Sequence, residues 1–78
     1  MKETIKAVVE QCDDGSFAAW SDAVPGVYAN GESEEEVRRE FLSMMAEQAT
    51  YMEERSGVTP DFKGAEVEFI YAPADFPK

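Results

Sequence analysis

A single stretch of this chain is written in the period of a helix, while every other periodic stretch has the period of a strand. One helix must therefore cover a whole sheet, and that constrains the fold more than any other feature. The helical stretch opens at Ser33, whose hydroxyl is placed to cap free N–H groups, with Glu36 three residues on to complete a capping box. Glu34, Glu35 and Glu36 also suit the positive end of the helix dipole. Val37, Phe41, Met44, Met45, Gln48 and Met52 form one stripe, which predicts a helix running to about Ser56. Gly57 stands where a left-handed cap belongs, and Pro60 cannot resume the helix. Glu34 and Glu35 precede Arg38 and Arg39 by four residues, two pairs in the favoured order on a solvated face.

The strands are read from alternation. Thr4 to Gln11 carries Ile5, Ala7 and Val9 on one parity and Val8 on the other. Cys12-Asp13-Asp14-Gly15-Ser16 is a turn in which Asp14-Gly15 tolerates the positive φ of a tight hairpin, and the return strand is Phe17 to Ser21. Pro25-Gly26 turns the chain, because Pro25 lacks an N–H for a ladder. A short strand from Val27 to Asn30 then ends at Gly31, ahead of the helix. Beyond the helix, Val58 to Ala65 reads as a polar loop, and Val67, Phe69 and Tyr71 alternate with Glu66, Glu68 and Ile70 in a last strand. Pro73 and Pro77 close the ordered part. The expected class is α+β, with element order β-β-β-α-β in one domain over residues 1–78.

Composition narrows the chemistry. With no histidine and only Cys12, the chain has no internal disulfide, no Cys/His zinc site and no His-based triad. Asp13 and Asp14 disfavour a thiolate at Cys12, so a structural role is expected for it. Seven basic against seventeen acidic residues leave a net charge of −10, which repels a phosphate backbone and attracts a basic partner. No direct nucleic-acid binding is therefore expected. Glu10, Asp13 and Asp14 fall near one hairpin end, and a Mg²⁺-dependent nuclease would be built on them. Adjacent acids in a hairpin turn more commonly serve Asx-type backbone bonding, so no metal or cofactor is expected. The N-terminal region lacks the run of about seven apolar residues of a signal peptide, and nothing approaches an apolar span of about eighteen. A cytoplasmic location, off the membrane, is expected.

Size adds a further expectation. For 78 residues, burial of apolar surface contributes on the order of 118 kcal/mol, against roughly 117 kcal/mol for ordering the chain. A balance so close to zero points to completion by an oligomer or a partner. One helix shields one face, so the residues of opposite parity are left over: Val8, Trp20, Tyr28 and Ile70, sharing their face with Lys6, Glu10, Glu66 and Glu68. Either those apolar residues form a partner surface anchored by aromatics, or Trp20 and Tyr28 close the edge of the core; strand register decides between the two.

Three motifs in register carry a resemblance. Asp14-Gly15-Ser16-Phe17-Ala18-Ala19-Trp20, then Val24-Pro25-Gly26, then Asn30-Gly31-Glu32-Ser33-Glu34-Glu35-Glu36-Val37 together resemble the HicB antitoxin family, from Ile5 to about Phe41. The resemblance implies a partial RNase H-like fold, a four-stranded sheet in the order 3-2-1-4 with one long helix on one face and a right-handed crossover into the last strand. It further implies a non-enzymatic antitoxin that binds a small basic RNA-cleaving toxin, HicA, and occludes its active site. Family members often carry a C-terminal DNA-binding domain; only a handful of residues follow the last strand here, so operator binding is not expected of this chain. Ser21-Asp22-Ala23-Val24 and the Arg38-Arg39 pair depart from the family pattern. The alternative is a homodimer without a toxin, its bare sheet face or edge strand closed by its own copy.

Overall fold

The computed structural model describes residues 4–72. Five elements follow in order: β1 (Thr4–Gln11), β2 (Phe17–Trp20), β3 (Tyr28–Gly31), α1 (Glu34–Ser56) and β4 (Glu66–Tyr71). The sheet runs β3-β2-β1-β4, so the fold is α+β with the expected strand order. β1 and β2 are antiparallel, as are β2 and β3, whereas β1 and β4 are parallel. The helix is thus the crossover between two parallel strands at opposite edges, a connection too long for a turn. Pro73 and Pro77 lie outside the described residues. No helix among the described residues is long and apolar enough to cross a membrane.

Local chemistry explains the boundaries. In the β1–β2 turn the Cys12 N–H donates to Ser16 O at 2.7 Å, and Gly15 adopts φ 90°. The Asp14 carboxylate accepts from the Ser16 hydroxyl and N–H at 2.6 and 3.0 Å, an Asx-type closure. At the helix start, Ser33 accepts from the Glu36 N–H at 3.1 Å, as a cap should. The returning Glu36 carboxylate takes the N–H of Glu32 at 2.7 Å, one residue earlier than a standard capping box. At the other end Gly57 sits at φ 76° and donates to Glu53 O at 2.8 Å. Of the two helix-surface pairs, Glu34 and Arg38 approach to 3.9 Å; Glu35 and Arg39 form no ion pair among the described residues.

Three boundaries and several core positions differ from the sequence reading. β2 stops at Trp20 because Ser21 leaves the ladder: its buried hydroxyl donates to Lys6 O at 2.6 Å and accepts from the Ala23 N–H. β3 begins at Tyr28 and includes Gly31, and Val27 is a buried core residue just before it. Within the helix the buried set is Val37, Phe41, Met45 and Ala49; Met44, Gln48 and Met52 are half-buried. Ala49, not Gln48, continues the stripe at i+4, and Gln48 reaches sideways to donate to Pro25 O at 3.1 Å. The segment from Val58 to Ala65 is not wholly polar packing: Phe62 is buried in the core, as is Val24 from the β2–β3 connection.

The helix does not sit centrally. It lies closest to β3, then β2, and touches β1 lightly, with β4 at its margin. Under it the sheet presents Ala7, Ala19 and Ala29, all fully buried, and Gly31. A Cβ on Gly31 would fall 2.8 Å from the Val37 backbone nitrogen, so only glycine permits this approach. β4 meets the helix through an edge-on Phe41–Phe69 contact, centroids 5.9 Å apart, and through Arg38 donating to the Tyr71 hydroxyl. Val67 and Phe69 are therefore only half-buried, and Tyr71 is 44% exposed, although all three share the helix-side parity.

Phe41→Ala is expected to lower unfolding stability by about 3–5 kcal/mol in urea denaturation, the loss typical of a fully buried aromatic. Ser33→Ala should cost about 1 kcal/mol. Gly31→Ala is destabilising as well, because the clash is with backbone and no side chain can yield.

Candidate functional site

Register brings the four residues of opposite parity into one line. Val8 is the Cα partner of Trp20, Trp20 of Tyr28, and Val8 of Ile70, so Tyr28, Trp20, Val8 and Ile70 form one row across all four strands. The row lies on the face away from the helix. Trp20 and Tyr28 stack, with ring centroids 5.9 Å apart and planes 11° from parallel. At the row's two ends Tyr28 is 56% and Ile70 41% exposed, while Trp20 and Val8 are half-buried by their neighbours. Trp20 and Tyr28 thus do not close the core, which is complete without them.

The surroundings of the row are polar and mostly acidic. Lys6 and Glu68 are Cα partners, as are Thr4 and Glu66 on one side of the row and Glu10 and Ala18 on the other. Three carboxylates and one ammonium therefore flank the apolar line. Lys6 takes part in no ion pair among the described residues.

The remaining candidates resolve into structural roles. Glu10, Asp13 and Asp14 do not converge: among the described residues no three metal-ligating side chains form a group that could hold an ion. Asp14 is committed to Ser16, whose hydroxyl and N–H hold its carboxyl below the usual range. Cys12 is a half-buried free thiol. Gly15, Pro25, Gly26, Gly31, Ser33, Glu36 and Gly57 shape turns and helix ends, and none contributes a reactive group to the row.

A second apolar surface was not visible in the sequence. On the flank of the helix turned toward β4, Leu42, Met45, Ala46 and Ala49 line a groove of about 400 Å³ together with Phe62 and Gly64. Leu42 is 43% exposed there. The groove's outer wall is held by Glu53, which accepts from Lys63 Nζ at 2.9 Å and from the Thr59 hydroxyl at 2.7 Å. Those two bonds hold the Glu53 carboxyl below its usual range. Only the exposure of Leu42 had a sequence signal, an apolar residue outside the helix stripe; the burial of Phe62 had none.

No family model, curated protein or solved structure matches this chain.

Two outcomes test this geometry. Trp20 is the only tryptophan, so removing its stacking partner in Tyr28→Ala should shift its emission to the red while stability falls by no more than about 1 kcal/mol, the scale of one cross-strand pair. The Glu53 carboxyl is depressed in the folded chain, so the anchorage it provides is present above its unfolded pKa and is lost as pH falls through the lower, folded value. Protection of the Lys63 and Ala65 amides against hydrogen exchange should fall along that acid limb, and in Glu53→Gln it should be low already at neutral pH.

Proposed function

We propose that this chain is a non-enzymatic, cytoplasmic binding module of the HicB antitoxin kind, which neutralises a small basic RNA-cleaving protein by covering it. The observation that carries the reading is the apolar row Tyr28-Trp20-Val8-Ile70, exposed at both ends and flanked by Glu10, Glu66 and Glu68. Aromatic residues bordered by charge are the composition of binding hot spots: a rigid anchor excludes water, and the rim selects the partner. The strand order is the one that the resemblance to the HicB family implies. A net charge of −10 steers a basic protein toward this surface and repels nucleic acid.

Occlusion requires no reaction centre in the module. Trp20 and Tyr28 supply flat apolar area at low entropic cost, and the carboxylates pair with lysines or arginines around the partner's RNA-binding groove. Such a surface competes with RNA because both present negative charge to the same basic groove.

Co-expression with a small basic RNA-cleaving protein encoded beside it should relieve toxicity and yield a complex that co-purifies. Trp20→Ala and Tyr28→Ala should each weaken that complex by roughly 30-fold or more, the effect of a hot-spot residue, and added salt should slow its association. Absence of both complex and rescue would dispose of the antitoxin reading.

A further inference from the structure

We propose that the outer edge of β4 pairs with the same edge of a second copy of this chain, joining two four-stranded sheets into one continuous sheet through an antiparallel contact centred on Phe69. The surface is distinct from the row on the sheet face, apart from Ile70, which serves both. Residues of one strand direct their backbone groups alternately to its two sides. The Ala72 N–H donates inward to Val9 O at 2.8 Å. Glu66, Glu68 and Ile70 therefore also face β1, and Val67, Phe69 and Tyr71 direct N–H and C=O outward. Among the described residues no other strand lies beyond β4. An open edge bearing Val67, Phe69, Ile70 and Tyr71 is a template for another strand.

The edge is self-complementary about Phe69. In that register Phe69 faces the partner's Phe69, and Val67 faces the partner's Tyr71, so each of the three outward-facing residues exchanges backbone hydrogen bonds with an apolar counterpart. On the other face Glu68 falls opposite the partner's Ile70, and Glu66 opposite the partner's Ala72. No carboxylate directly opposes another. Centring the pair on Glu68 instead would set the two Glu68 side chains against each other, which is unfavourable. The helix-side residues of the incoming strand would lie on the same side of the sheet as the groove bounded by Leu42, Met45 and Phe62. β4 itself is left at the helix margin. A basic segment of another protein would pair with Glu66 and Glu68 but would leave the match of Val67 with Tyr71 and of Phe69 with itself unexplained.

Charge sets the sign of the test. The two Glu68 side chains are diagonal neighbours in this register, and each chain carries −10, so screening by salt should tighten the dimer. Salt has the opposite effect on capture of a basic protein, which separates failure of this contact from failure of the proposed function. Light scattering after gel filtration of the full chain should show twice the chain mass, more completely at high salt. Tyr71→Pro removes an outward N–H without touching the bonds to β1, and should halve the mass while the circular dichroism stays native-like and the melting falls only by the loss of the Arg38 contact to the Tyr71 side chain. Ile70→Glu, which sets a carboxylate opposite the partner's Glu68 twice, should raise the dissociation constant by about tenfold or more, whereas Ile70→Lys should retain the dimer. A native chain at single-chain mass at all salt concentrations, or a folded Tyr71→Pro variant that remains a dimer, would overturn the proposal.

Discussion

The helix reaches the sheet where the sheet is smallest. Ala7, Ala19 and Ala29 form a floor with no exposed surface, and Gly31 lets the first helical turn come within van der Waals limits of β3. Val37, Phe41 and Met45 fill that shallow floor and make the core's central layer. Toward β4 the helix-side residues are Val67, Phe69 and Tyr71, which are too large for the same approach. The helix is consequently drawn to the β3 side, and its placement is set by side-chain volume because interiors pack at near-crystalline density.

Two exposed surfaces follow from having one helix and from its offset. The face away from the helix keeps its line of Tyr28, Trp20, Val8 and Ile70 because, among the described residues, no second helix covers it. The far edge keeps Val67, Phe69 and Tyr71 partly in water because the one helix leans the other way. Phe62 and Val24, drawn from connections, fill part of the deficit, and the Glu53–Lys63–Thr59 cluster secures the connection that carries Phe62. A small chain near energetic balance does not discard such surface without reason: covering it with another molecule is the direct way to recover the stabilisation that one helix does not provide.

Under the two proposals, the two surfaces divide the labour. The sheet face is flanked by carboxylates and suits a basic partner, whereas the β4 edge is apolar with its acids out of register and suits its own image. Acidic charge would favour the first proposed association and oppose the second, so ionic strength would move them in opposite directions. Neither surface needs a catalytic group: Cys12 is a half-buried thiol and Asp14 is tied into its turn by Ser16.

Local chemistry wrote most of the fold into the sequence. The Ser33 cap, the Gly57 stop, the Asp14-Gly15 hairpin and the alternation of β1 and β4 are short-range signals, and each acts through bonds within a few residues. The membership of the exposed row was legible for the same reason, since parity along a strand is a local property. What the tertiary structure alone decided was register and offset: that the four residues line up across the strands, that Ala49 rather than Gln48 continues the buried stripe, that Phe62 and Val24 enter the core, and that β4 is left at the margin. Those outcomes depend on how volumes on distant segments fit together, and a spacing rule contains no information about the size of the cavity a side chain will meet.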